Sequence, residues 1–131
     1  MRRLLDPRIR AIFLVLWCVA WLLVAIALLM PLPVAPPGRS DLVAHFATFG
    51  IMALGAVGFC RQPLRLLGLT LLTMAGAAAL EFAQLLSPYR SFDVADLVAN
   101  LSGALTGYLL GLALLVLVIR PADAALRGAR G

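Results

Sequence analysis

A handful of side chains have the types and the spacing to do acid–base or ligand chemistry in this sequence. Asp41 stands four residues before His45, the only histidine. Glu81 is followed at the helical interval by Gln84, and Arg90, Asp93, Asp96 and Asn100 follow within a short stretch. Residues three or four apart share one face of a helix, so each set can present its polar groups together. Glu81 and His45 read as an acid–base pair, with Asp96 orienting the imidazole. A carboxylic acid held partly out of water suits general-acid work near neutral pH. No serine or cysteine nucleophile stands beside His45 in this set, so a nucleophilic triad fits poorly. One imidazole and several carboxylates also have the donor chemistry for a divalent cation. No residue is assigned as a metal ligand on that ground, and no motif names a cofactor. A single histidine excludes a bis-histidine haem within one chain.

The chain around these residues is unusually apolar. Of its 131 residues, 63% are hydrophobic and only 13% charged, against about half and about a quarter in soluble domains. This is the composition of an integral membrane protein, and the length suits one domain, 1–131. The net charge is +5 and every basic residue is arginine. The arginines lie in short clusters between apolar runs, a pattern of membrane topology rather than of a nucleic-acid face. No nucleic-acid partner is expected. The two cysteines, Cys18 and Cys60, fall at opposite depths, too far apart for a disulfide. Both read as small buried hydrophobes.

A membrane-spanning helix needs about 20 mostly apolar residues. Spans are expected at about 11–30, 42–60, 66–86 and 94–119, so the fold class is all-α, a bundle of four transmembrane helices. The first run is too long for an ordinary signal-peptide core and is read as a retained span. Proline and charge mark the three connections, in "PLPVAPPGRSD", "RQPLR" and "SPYRSFD". With four spans, nine of the arginines lie on one side of the membrane against Asp6 and Asp123. The other side has Arg39 and Arg90 against Asp41, Glu81, Asp93 and Asp96. Basic loops stay inside, so both termini are expected in the cytoplasm.

This topology puts the chemistry at one level. His45 sits about 6 Å into the second span from its outer end. Glu81 and Gln84 come near the outer end of the third, and Asp96 and Asn100 in the first turns of the fourth. On the second span, Asp41, His45, Thr48, Met52 and Gly55 share a face; on the third, Thr70, Thr73, Ala77, Glu81 and Gln84. On the fourth, Asp93, Asp96 and Asn100 share one with Gly103, Gly107 and Gly111. A charge at the bilayer centre costs about 2.5–3.5 kcal/mol, so these faces should point inward. Small residues let backbones approach closely, which gives the three glycines a packing role. Thr70 and Thr73 are expected to bond back to their own helix.

The ordered blocks Asp41-x-x-x-His45, Glu81-x-x-Gln84 and Arg90-x-x-Asp93-x-x-Asp96-x-x-x-Asn100-x-x-Gly103-x-x-x-Gly107 resemble the VanZ-like family, gap lengths included. The resemblance covers Asp41 to Gly107. Many members carry a lysine after the first aspartate, where this chain has Leu42, so no lysine role carries over. The resemblance implies a small bacterial inner-membrane protein of about four spans. The family's founding member is linked to low-level resistance to teicoplanin, a glycopeptide directed at cell-wall precursors outside the cytoplasmic membrane. The family's motif residues fall on Asp41, His45, Glu81, Gln84, Arg90, Asp93, Asp96, Asn100 and Gly103; the resemblance does not supply their chemical roles.

Three readings follow. In the first, the outer cluster binds or modifies a cell-envelope amphiphile such as a lipid-linked wall precursor. His45, Glu81 and Asp96 lie at its centre, Asp41, Gln84, Arg90, Asp93 and Asn100 are its binding groups, and Tyr89 and Phe92 are its interfacial flank. In the second, a membrane-embedded enzyme uses Glu81 and His45 on a lipid-linked substrate. In the third, the polar groups are interhelical hydrogen bonds of a structural or accessory subunit. The partner common to all three is the lipid bilayer; oligomeric state stays open.

Overall fold

The computed structural model describes residues 6–30, 39–87 and 92–128. They form helices throughout, with no strand among the described residues. Helix α1 is Pro7–Leu29, α2 Arg39–Gly55, α3 Pro63–Ala83, α4 Val94–Leu114 and α5 Arg120–Gly128. Short 3-10 turns, Ala56–Gly58 and Gln84–Leu86, extend α2 and α3, and a π turn, Leu115–Ile119, joins α4 to α5. Four stretches are long and apolar enough to cross a membrane: Pro7–Leu29, Ser40–Gly58, Pro63–Leu86 and Val94–Ala122.

The helix starts follow from local chemistry. Asp6 caps α1, its side chain accepting from the Arg8 amide at 2.9 Å, and Pro7 occupies the first turn. A proline is tolerated there because its missing N–H would have had no helical partner. Pro63 opens α3 in the same way. Asp93 caps α4 by accepting from the Ala95 amide at 2.7 Å. The helices therefore reach beyond the purely apolar runs, since charged and capping residues can extend a helix into the membrane–water boundary.

Contacts between named residues set the directions. Trp17 Nε1 donates to the Met52 carbonyl at 2.9 Å, and the rings of Trp21 and Phe49 meet edge to face, so α1 and α2 are antiparallel. Pairs such as His45 with Asn100 and Gly50 with Gly107 advance together, so α2 and α4 are parallel. Helix α3 runs against both, with Leu66 near Gly111 at one end and Glu81 bonded to Asp93 at the other.

The α2–α4 seam is the most extensive contact of the bundle. Its closeness comes from glycine. A Cβ on Gly103 would run into the Phe46 carbonyl, and one on Gly107 into the Gly50 carbonyl. Between apolar helices in lipid, attraction comes largely from dispersion, which needs this kind of approach. Gly111 lies against Val57 and Leu66 further along the seam. The buried core is small: Phe49, Ala53, Ala77 and Ala104 beside the seam, then Ala56, Val57, Cys60 and Leu66 beyond.

Helix α1 buries none of its residues and lies at the edge of the bundle. Aromatic rings hold it there. Trp17 meets Trp21 and Phe59 edge to face, Trp21 sits over Gly76 and Phe13 over Gly58. Two expectations are corrected. Cys60 is buried, but Cys18 is exposed on α1, because a peripheral helix presents most of its surface outward. Gly55 is exposed instead of facing inward; the buried side of α2 turns toward Phe49, Ala53 and Ala56, where α4 and α1 close on it.

Candidate functional site

The polar residues collect at the end of the bundle where α2 begins, α3 ends and α4 begins. Because α2 and α4 are parallel, positions one turn apart on each helix meet in register. Asp41 is level with Asp96, and His45 with Asn100. The His45 Nδ1 atom lies 2.9 Å from Asn100 Oδ1. With the amide in this orientation Nδ1 donates, and Nε2 of the neutral ring keeps its lone pair. That nitrogen faces two carboxylates, 3.8 Å from Asp41 Oδ1 and 3.8 Å from Asp96 Oδ2.

Glu81 comes from α3 and is fully buried. Its Oε1 accepts from the Asp93 amide at 3.1 Å, tying the end of α3 to the start of α4. The stacked rings of Phe82 and Phe92 support the same junction. The second oxygen, Oε2, has no hydrogen-bond partner among the described residues, and neither does Asn100 Nδ2. Glu81 is close enough to Asp96, His45 and Asp93 for their charges to act on it. It makes no direct hydrogen bond to His45. Gln84, one turn on, is also buried.

The structure thus brings Asp41, His45, Asp96 and Asn100 into one contact group, with Glu81 beside it. Asn100 holds the imidazole at Nδ1, while Asp96, expected to orient the ring, stands 3.8 Å from Nε2. The reason is register: Asn100, one turn further along α4, is the residue level with His45. The Asp93 carboxylate caps α4 and is exposed. Arg90 and Tyr89 lie outside the described residues. Gly103, Gly107 and Gly111 lie below the cluster on the same helix face, in the seams with α2 and α3. Thr70 and Thr73 bond back to the Leu66 and Leu69 carbonyls at 3.0 and 2.9 Å, so they are not part of the cluster.

Sequence reasoning missed the fastening at the opposite end. Arg10 donates from Nε and Nη2 to the Phe59 carbonyl at 3.2 and 2.9 Å, anchoring the start of α1 to the turn after α2. Its signal was slight, one arginine among several near the N-terminus.

The chain is therefore an all-helical membrane protein with a polar cluster built from three helices at one end. Its family is VanZ/LLP1: that family model matches residues 21–117, most of the chain, and the protein belongs to it. The match includes every described residue of the cluster. No curated protein and no solved structure matches the chain.

Proposed function

We propose that the polar cluster is a binding site for the headgroup of a cell-envelope amphiphile. In this reading the protein sits in a bacterial cytoplasmic membrane with both termini inside and the cluster at the outer surface. The observation that carries it is the pair of buried polar atoms without hydrogen-bond partners among the described residues, Glu81 Oε2 and Asn100 Nδ2. A purely structural cluster would satisfy its own groups, since a buried unpaired polar atom costs about 1–3 kcal/mol. Here an acceptor and a donor are left over beside His45, and Asp41 and Asp96, 22% and 16% exposed, give access from the membrane surface. A polar headgroup, such as that of a lipid-linked wall precursor, has the donors and acceptors to complete both. Altered glycopeptide susceptibility would be a consequence of occupying or modifying that lipid.

A catalytic version of the reading is favoured by one detail. The Glu81 carboxylate keeps one oxygen uncommitted among the described residues and lies within electrostatic range of the imidazole, an arrangement suited to moving a proton on a bound substrate.

The experiment replaces Glu81 with Gln, which preserves shape and removes the charge. Folded yield in detergent, lipids retained on purification and teicoplanin sensitivity of expressing cells are then compared with the parent chain. Normal yield with altered lipid retention or sensitivity supports the site. Unchanged lipid retention and sensitivity at normal yield, or lost yield alone, would overturn it.

A further inference from the structure

The distances around His45 Nε2 are unsuited to hydrogen bonding. An N–H···O bond spans about 2.7–3.2 Å, whereas Nε2 stands 3.8 Å from each of two carboxylate oxygens that flank it. All three atoms lie within 4.8 Å of one another. Around a tetrahedral cation with bonds of about 2.0–2.2 Å, neighbouring donors are about 3.4 Å apart. The two nitrogen–oxygen distances reach that spacing with a contraction of a few tenths of an ångström, and the two carboxylate oxygens, within 4.8 Å of each other, close on the cation by side-chain rotation. We infer that Asp41 Oδ1, His45 Nε2 and Asp96 Oδ2 bind a divalent first-row transition-metal cation of the zinc type.

Three further features support it. The Asn100 carbonyl takes the Nδ1 proton, which fixes the ring with Nε2 as a ligand; metal-bound histidines are commonly held in this way at their other nitrogen. Imidazole with two carboxylates favours zinc-like ions over magnesium or calcium, which prefer all-oxygen sites. Finally, two fully buried side chains border the cluster with atoms that have no partner among the described residues, the acceptor Glu81 Oε2 and the donor Asn100 Nδ2. Three protein ligands leave a zinc ion an open position for a water or a ligand oxygen. Such an oxygen could accept from Asn100, and as a water it could donate to Glu81. The inference does not depend on the amphiphile reading, because cation binding is read on the protein alone.

The test uses the full chain, purified without a tag in detergent, stripped with chelator and titrated calorimetrically with Zn2+. Asp41→Asn and Asp96→Asn remove single ligands, and Asp6→Asn is the control at the other end of the bundle. Size-exclusion profiles confirm that each variant is folded. The expected result is about one Zn2+ per chain, retained in excess Mg2+, with affinity lowered at least about tenfold in D41N and D96N and unchanged in D6N. Visible spectra of the Co2+ form serve as a second measurement should a variant fail to fold: nitrogen and oxygen ligation without a thiolate band is expected. No uptake by the wild type, wild-type affinity in D41N and D96N, equal displacement by Mg2+, or a thiolate band in the Co2+ spectrum would each overturn the assignment.

Discussion

The His45 imidazole and the Asn100 amide, 55 residues apart in the chain, meet at 2.9 Å across the seam between α2 and α4. The bond joins the two parallel helices at the level of the cluster and determines which ring nitrogen faces Asp41 and Asp96. Both residues are buried, so the contact has a structural and an orienting consequence at once.

Replacing Asn100 with Leu should therefore destabilise the bundle. The branching and the number of heavy atoms are kept, but Nδ1 loses its acceptor. Interhelical hydrogen bonds in membranes average about 0.6 kcal/mol, and an unpaired buried group raises the loss to about 1–3 kcal/mol. Thermal unfolding in detergent, followed by tryptophan fluorescence, should show a lowered midpoint. An unchanged midpoint would mean that the bond contributes nothing to the fold.

Gly107→Leu should be more damaging. Even the first carbon of the side chain would collide with the Gly50 carbonyl, so α2 and α4 must part. Overpacking of this kind costs about 1–3 kcal/mol and here opens the longest seam of the bundle. Folded yield should drop sharply, whereas Gly68→Ala, where nothing lies within 4 Å, should leave it near normal. Equal yields for the two variants would contradict the glycine account of the seam.

The periphery should behave separately. Gly76→Val places a side chain where the Trp21 ring now rests, 2.5 Å from its outer carbon. Helix α1 should loosen, changing tryptophan emission while the α2–α4 seam, which α1 does not form, persists. Parallel loss of folded yield to the Gly107→Leu level would show that α1 is instead essential to the core.

Topology has a direct check. Leu86 is 89% exposed at the polar end, and Gln62 is exposed at the opposite end. In a chain with Cys18 and Cys60 replaced by alanine, a cysteine at position 86 should react with a membrane-impermeant maleimide on intact cells. One at 62 should react only after permeabilisation. The reverse pattern would place the cluster on the cytoplasmic side and sink the proposed site for an external amphiphile.

Much of this protein is legible in its amino-acid sequence, because lipid leaves few options. Backbone groups in a bilayer must bond internally, so long apolar runs can only be helices, and charge at their ends marks the loops. Thr70 and Thr73 bonding back to α3 follows from local geometry alone. Less is legible where position around the bundle matters. Cys18 is as apolar in setting as Cys60, yet one is exposed and the other buried, and hydropathy cannot rank helices from centre to edge. Arg10 looks like any other arginine near an N-terminus until it reaches the Phe59 carbonyl.

The sequence by itself determined the helices and the level at which the polar residues gather, since both depend on local composition and on 3.6-residue periodicity. Only the tertiary structure decided which polar groups touch. The Gly103 and Gly107 contacts set the register of α2 against α4. That register aligns Asn100 with His45 and Asp96 with Asp41, and so leaves Nε2 between two carboxylates. Pairing across a seam depends on the relative slide of two helices, and no spacing within either helix contains that quantity.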